Sequence, residues 1–174
     1  MRTIIVGCGR VGAGLASQLD EEGHDVVILD IKTESFRRLA PSFSGQALRG
    51  DGTDESVLER AGTREASWFF ALTEGDNRNI LAAQLAKQAF GIPHVLCKIN
   101  DPVRSNAYST LGIDTINRTD MMIDSIDRYM GKPGTPGAAD VNVAVVPQAP
   151  PEPEAEQATG APMPVPPAAR TGDR

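Results

Sequence analysis

Thr3-Ile4-Ile5-Val6-Gly7-Cys8-Gly9-Arg10-Val11-Gly12 is a short apolar run that breaks into glycines and resumes as a helical pattern. A strand that turns directly into a helix through Gly-x-Gly-x-x-Gly is the opening unit of a dinucleotide-binding βαβ fold. Gly7 suits the tight turn, Gly9 lets the backbone approach a pyrophosphate, and Gly12 lets helix and strand pack closely. The amides at the helix start then face the phosphates. By itself such a turn also serves as a plain strand-to-helix connection, so the decision rests on what lies further along.

Asp30 ends the second apolar run, 18 residues after Gly12. A carboxylate there accepts hydrogen bonds from adenosine ribose hydroxyls and disfavours a ribose 2′-phosphate. At about 5 Å and an effective dielectric near 20, each unit of like charge costs roughly 3 kcal/mol. NAD, or an adenine nucleotide with a free 2′-hydroxyl, is therefore expected over NADP. Ile31 and Lys32 follow directly, and the lysine tempers the repulsion. Gly50-Asp51-Gly52-Thr53 follows the third run at the same sheet edge; Asp51 suits the adenine amino group, and Thr53 either meets the ligand or caps a helix starting at Asp54. Thr73-Glu74 follows the fourth run beside the glycine loop. Arg10 reaches phosphates from the loop, and Lys98, at the end of the fifth run, supplies a second cation.

Outward from these motifs, strands are expected at 3–6, 25–29, 46–49, 67–72, 94–99 and 114–116. Val26-Val27-Ile28-Leu29 and Trp68-Phe69-Phe70-Ala71 are apolar on consecutive residues, which requires helices on both faces. Helices are expected at 11–22, 33–40, 54–61, 75–90, 101–111 and 119–130, most stopped by Gly or Pro. The fold class is thus α/β: a Rossmann-like, doubly wound parallel sheet of six strands. Ten of the thirteen prolines fall in the last 44 residues, which hold no aromatic. Residues 1–130 therefore read as the nucleotide-binding domain and 131–174 as a disordered Pro/Ala-rich tail, in which the alternating Val141, Val143 and Val145 allow one short strand.

At 174 residues there is room for a cofactor domain but not for a substrate domain of ordinary size, so a complete two-domain oxidoreductase is not expected. A net charge of -6 with no basic block argues against nucleic acid or an anionic membrane surface as partner. Cys8 and Cys97 lack metal-ligand spacing, and a reducing, cytoplasmic setting fits them; Cys8 is either a small packing residue or redox-sensitive. No signal peptide and no membrane-spanning apolar run is expected. His24 and His94 read as turn residues. Tyr108 lacks the lysine four residues on that a short-chain reductase pairs with it, since Gly112 stands there. In the last helix Met122, Ile126 and Met130 form one apolar stripe, which covers either the protein's own sheet or a partner subunit.

Residues 1 to about 130 resemble the TrkA-type, or RCK N-terminal, domain of potassium-uptake regulators. The resemblance rests on the glycine loop, Asp30, Gly50-Asp51-Gly52-Thr53 and Thr73-Glu74-Gly75-Asp76-Asn77-Arg78-Asn79. It implies that Gly7 to Val11, Asp30, Asp51, Thr73, Glu74 and Lys98 line a site for NAD(H) or ATP/ADP. It implies no enzymatic activity, a homo-oligomer or a hetero-oligomer with a second regulator, and a membrane potassium transporter or channel as partner. Two departures stand out. Thr119-Asp120 replaces a Pro-Glu pair common in the family, and the tail occupies the place of the small C-terminal ligand-binding domain found in many members. The competing expectation is the cofactor half of an NAD-dependent dehydrogenase whose substrate domain is a separate chain.

Overall fold

The structure, a computed structural model, describes residues 1–101, 108 and 112–132. Six strands form one sheet: β1 (Arg2–Val6), β2 (Asp25–Asp30), β3 (Gln46–Arg49), β4 (Trp68–Ala71), β5 (His94–Lys98) and β6 (Asp114–Ile116). Their order is β3-β2-β1-β4-β5-β6, and every neighbouring pair is parallel. The strand order reverses between β1 and β4, the point at which open α/β sheets bind ligands outside the carboxyl ends of their strands. The Rossmann-like sheet expected from the sequence is thus observed.

The helices with both ends among the described residues are α1 (Arg10–Glu21), α2 (Glu55–Arg60), α3 (Asp76–Gln84) and α4 (Arg118–Tyr129). One sheet face carries Ile4, Val6, Leu29, Phe69 and Val95 and packs on Val57 and Leu58 of α2 and Ile80 and Ala83 of α3. The other carries Ile5, Val26 and Ile28 beneath Ala13 and Ala16 of α1. Val26, Val27, Ile28 and Leu29 are all 0% exposed, as a strand sandwiched between helix layers requires.

Several boundaries differ from expectation. The helix expected at 33–40 is a 3-10 turn, Thr33–Arg38, whose following residue Leu39 is already extended. Pro41 follows two residues later and leaves no room for a longer helix. The helix expected at 75–90 divides into α3 and a π-helical turn, Leu85–Ala89. Of the helix expected at 101–111 only Asp101 and Tyr108 are described, Tyr108 in helical conformation; its remainder and most of the tail, including the candidate strand at Val141 to Val145, lie outside the described residues.

The last helix is turned opposite to one of its two expected roles. Asp124 is its buried residue, ion-paired with Arg128 at 2.8 Å. Met122 and Met130, by contrast, are 58% and 61% exposed, and Tyr129 is 93% exposed. The polar side faces the body, so the apolar stripe does not cover the protein's own sheet.

Candidate functional site

The glycine loop runs from the end of β1 into α1, and each glycine has its own reason. Gly7 has φ +105°, a conformation that L side chains rarely adopt. A Cβ at Gly7 would also stand 2.8 Å from the Thr73 backbone nitrogen. At Gly12 a Cβ would overlap the Gly7 carbonyl oxygen, so helix and loop approach closely only because it is absent. Gly9 differs: nothing in the chain lies within 4 Å of where its Cβ would be. No side chain caps the helix that begins after it. The first-turn amides of α1 are thus left for a group outside the chain, with space in front of Gly9 for it.

Asp30 stands at the end of β2, half-buried. Its Oδ2 accepts from the Cys8 amide at 2.8 Å and its Oδ1 from the Lys32 amide at 2.8 Å. The carboxylate therefore both shapes the loop and sits beside it, with lone pairs remaining for further donors. The Cys8 side chain turns away into the core, where its thiol donates to the Ser35 carbonyl at 3.3 Å. Burial, with Asp30 nearby, pushes the thiol up to about 11. Of the readings of Cys8, packing is the one its geometry matches, and only its amide faces the edge. Val11, Ile31 and the side chains of Arg10 and Lys32 are exposed around this point.

The turn after β3 presses on the same place, because a Cβ at Gly52 would overlap the Val6 side chain. Asp51 Oδ1 accepts from both the Thr53 amide, at 3.0 Å, and the Thr53 hydroxyl, at 2.8 Å. Thr53 therefore orients Asp51. The cap of α2 is Asp54, which accepts from the Ser56 amide.

On the other side of the switch point, Thr73 and exposed Glu74 follow β4. Asn79 of α3, fully buried, holds this segment. Its Oδ1 accepts from the Thr73 amide at 2.8 Å and the Thr73 hydroxyl at 2.6 Å. Its Nδ2 donates to the carbonyls of Thr73, at 3.0 Å, and Lys98, at 2.8 Å. Asp76 makes the next tie, accepting from the Asn100 amide at 2.9 Å and the Asp101 amide at 3.1 Å. Burial, and secondarily Arg118, hold the Lys98 ammonium below the usual lysine range; Glu74 and Asp76 oppose that shift. Asn79 stands at the end of the Thr73-to-Asn79 motif, but its hydrogen bond to a carbonyl 19 residues away is invisible to local pattern.

Gly7, Asp30, Gly52 and Thr73 thus come from four chain segments to one point at the carboxyl edge, and Asn79 links Lys98 to it. Among the described residues no cluster of His, Cys, Asp or Glu is arranged to hold a metal ion. No helix there is long and apolar enough to cross a membrane.

A parallel sheet in the order 3-2-1-4-5-6 with an uncapped helix start and a strand-end carboxylate at its switch point defines a Rossmann-type nucleotide-binding domain. The family model for the TrkA-N domain matches residues 3–118, and the chain belongs to that family. It is 46% identical over 116 residues to the Trk system potassium uptake protein TrkA of Streptomyces coelicolor, covering 67% of this chain and 52% of that protein. To the TrkA homolog of Pyrococcus horikoshii it is 39% identical, covering 62% and 47%. The chain spans about half the length of these curated relatives, which are named as potassium-uptake proteins and not as enzymes. Among solved structures, the TrkA-N domain of the Escherichia coli inner membrane protein ybaL superposes with a TM-score of 0.65 at 15% identity, covering 74% of this chain and 96% of that one. A GsuK channel bound to NAD gives 0.60 at 18% identity, over 75% and 23%. These likenesses are of fold.

Proposed function

We propose that this chain is a regulatory, nucleotide-binding subunit of a Trk/Ktr-type potassium uptake system, acting at the cytoplasmic face on a membrane transporter or channel. The observation that carries the reading is the pairing at one point of an uncapped helix start with the Asp30 carboxylate, held there by the Cys8 amide at 2.8 Å. Amides suit a pyrophosphate and the carboxylate suits a ribose with free hydroxyls. The opening in front of Gly9 supports a ligand whose phosphates come close to the backbone. NAD(H) fits this donor and acceptor set best. ATP and ADP share its adenosine half, and solved GsuK structures carry NAD in one case and ADP in another.

Residues 1–130 form the working domain in this reading, 131–174 a tether, and copies of the domain or a second regulator complete the assembly. The nucleotide acts by binding one arrangement of that assembly more tightly than another, a coupling typically worth about 1–3 kcal/mol. Asp51, Thr73, Glu74, Lys98 and Arg10 supply the remaining contacts. Differential scanning fluorimetry with NAD, NADH, ATP and ADP tests the reading. At least one of the four raises the melting temperature; no shift with any of them overturns it.

A further inference from the structure

Arg49 has no part in the site described so far, although it is the last residue of β3 and stands at the same sheet edge. It pairs in parallel register with Asp30. Side chains paired in that way leave the sheet on one face, so guanidinium and carboxylate start side by side, one strand spacing of about 4.8 Å apart. Opposite charges so placed can close into an ion pair, but these do not. Among the described residues Arg49 has no ion-pair partner, and its Nε donates instead to the Ile31 carbonyl at 3.4 Å. The Asp30 oxygens take the Cys8 and Lys32 amides. The guanidinium is thereby carried past the end of β2, and the carboxylate keeps its remaining lone pairs.

Two further groups border this corner. Ile31, whose carbonyl holds Arg49, leaves a large apolar side chain 42% exposed. Asp51, two residues beyond Arg49, gives Oδ1 to Thr53, and its Oδ2 has no partner among the described residues. The turn that carries Asp51 is pressed against the body of the domain, since a Cβ at Gly50 would overlap Val57 and one at Gly52 would overlap Val6. Lys32, exposed beside Ile31, supplies charge but no flat surface.

A planar cation, an open apolar side chain and a free carboxylate oxygen at one corner match a flat heteroaromatic ring that carries an amino group. We propose that Arg49 is the stacking platform for the base of the nucleotide, its guanidinium lying against the adenine ring with Ile31 alongside and Asp51 Oδ2 accepting from the amino group. Guanidinium planes stack on nucleobases and aromatic rings because a flat, weakly hydrated cation meets the negative π face. The proposal rests on nucleotide binding in the preceding reading and adds to it the surface that receives the base. Two other roles are open to an arginine here: a charge that keeps an edge strand from pairing with other chains, and a plain counter-charge for the ligand. The first leaves nucleotide affinity untouched, and the second is served equally well by lysine.

Isothermal titration with NAD and ADP, on full-length protein and on Arg49→Ala, Arg49→Lys and Arg49→Tyr, separates the three. Stacking predicts that Arg49→Ala weakens both ligands about tenfold, because both carry the same base. Arg49→Lys, charged but not flat, is expected to be as weak as Arg49→Ala. Arg49→Tyr, flat but uncharged, is expected to retain most of the affinity. Should Arg49→Ala unfold, the Lys and Tyr variants carry the test. Unchanged affinity in Arg49→Ala overturns the proposal, and so does an Arg49→Lys protein that binds as the unaltered one does while Arg49→Tyr does not. An Arg49→Tyr protein no better than Arg49→Ala overturns it as well. Failure of the unaltered protein to bind either nucleotide overturns the preceding reading and this proposal with it.

Discussion

Asn79→Ala is expected to destabilise the domain by about 4 kcal/mol. The substitution removes an amide that accepts from the Thr73 nitrogen and hydroxyl and donates to the Thr73 and Lys98 carbonyls. The hydroxyl has an alternative acceptor in the Gly75 carbonyl at 3.5 Å, so three backbone groups are orphaned. A buried group left without its partner costs about 1–3 kcal/mol. Thr73 is half-buried and water relieves it in part, so its two groups take the low end and the Lys98 carbonyl a middle value. Against a total of about 5–15 kcal/mol the loss is large but survivable. Urea denaturation followed by circular dichroism measures it. Asn79→Asp separates hydrogen bonding from volume: it keeps one acceptor but sets a second carboxylate oxygen against two carbonyl oxygens. Folding then raises the introduced carboxyl's pKa above its unfolded value. Its stability deficit is largest at neutral pH and shrinks as pH falls through the raised value, because the protonated group donates again. A loss below 1 kcal/mol for Asn79→Ala, or a pH-independent deficit for Asn79→Asp, refutes the reasoning.

Three further outcomes are expected. Gly12→Ala sets a methyl against the Gly7 carbonyl, a backbone atom that cannot swing aside, and costs about 3 kcal/mol in the same denaturation assay; a change within 0.5 kcal/mol contradicts the packing role. Burial pushes the Cys8 thiol up to about 11 and Cys97 to about 12, both above the ordinary 9.0. The native protein therefore resists a thiol reagent at pH 8 and reacts once unfolded in urea. Because the folded state holds these protons more tightly, stability is unaffected below about pH 9 and falls from there toward pH 12. Lys98, held below its usual range mainly by burial, is drawn back up by a phosphate, so nucleotide binding in the alkaline range where this lysine titrates takes up protons. Calorimetry in buffers of different ionisation heat detects this, and equal enthalpies in all buffers remove Lys98 from the phosphate site.

The β-branched runs and the glycine loop were legible because their signals are local. Val26 to Leu29 can be apolar on four consecutive residues only inside a two-layer cover, and Gly7 and Gly12 sit where a Cβ has no space. Asp30 was legible from its spacing, although its bond to the Cys8 amide, which makes it part of the loop itself, was not. Nor was the bond by which the Thr53 hydroxyl braces Asp51. Asn79 escaped because its partners are distant in sequence. The orientation of α4 escaped for another reason: an apolar stripe has the same periodicity whether it covers its own sheet or a partner's. Only the burial of Asp124 and the exposure of Met122 exclude the first of these.

The central claim is that the β1–β2 edge binds an adenine nucleotide with free ribose hydroxyls through Asp30. Isothermal titration of the full-length protein with NAD and NADP, repeated on Asp30→Ala, tests it most directly. The account predicts that the unaltered protein binds NAD at least about a hundredfold more tightly than NADP, as roughly 3 kcal/mol of like-charge repulsion requires, and that Asp30→Ala weakens NAD and narrows the gap. Equal affinity for the two nucleotides, or an Asp30→Ala protein that binds NAD as the unaltered one does, would contradict it.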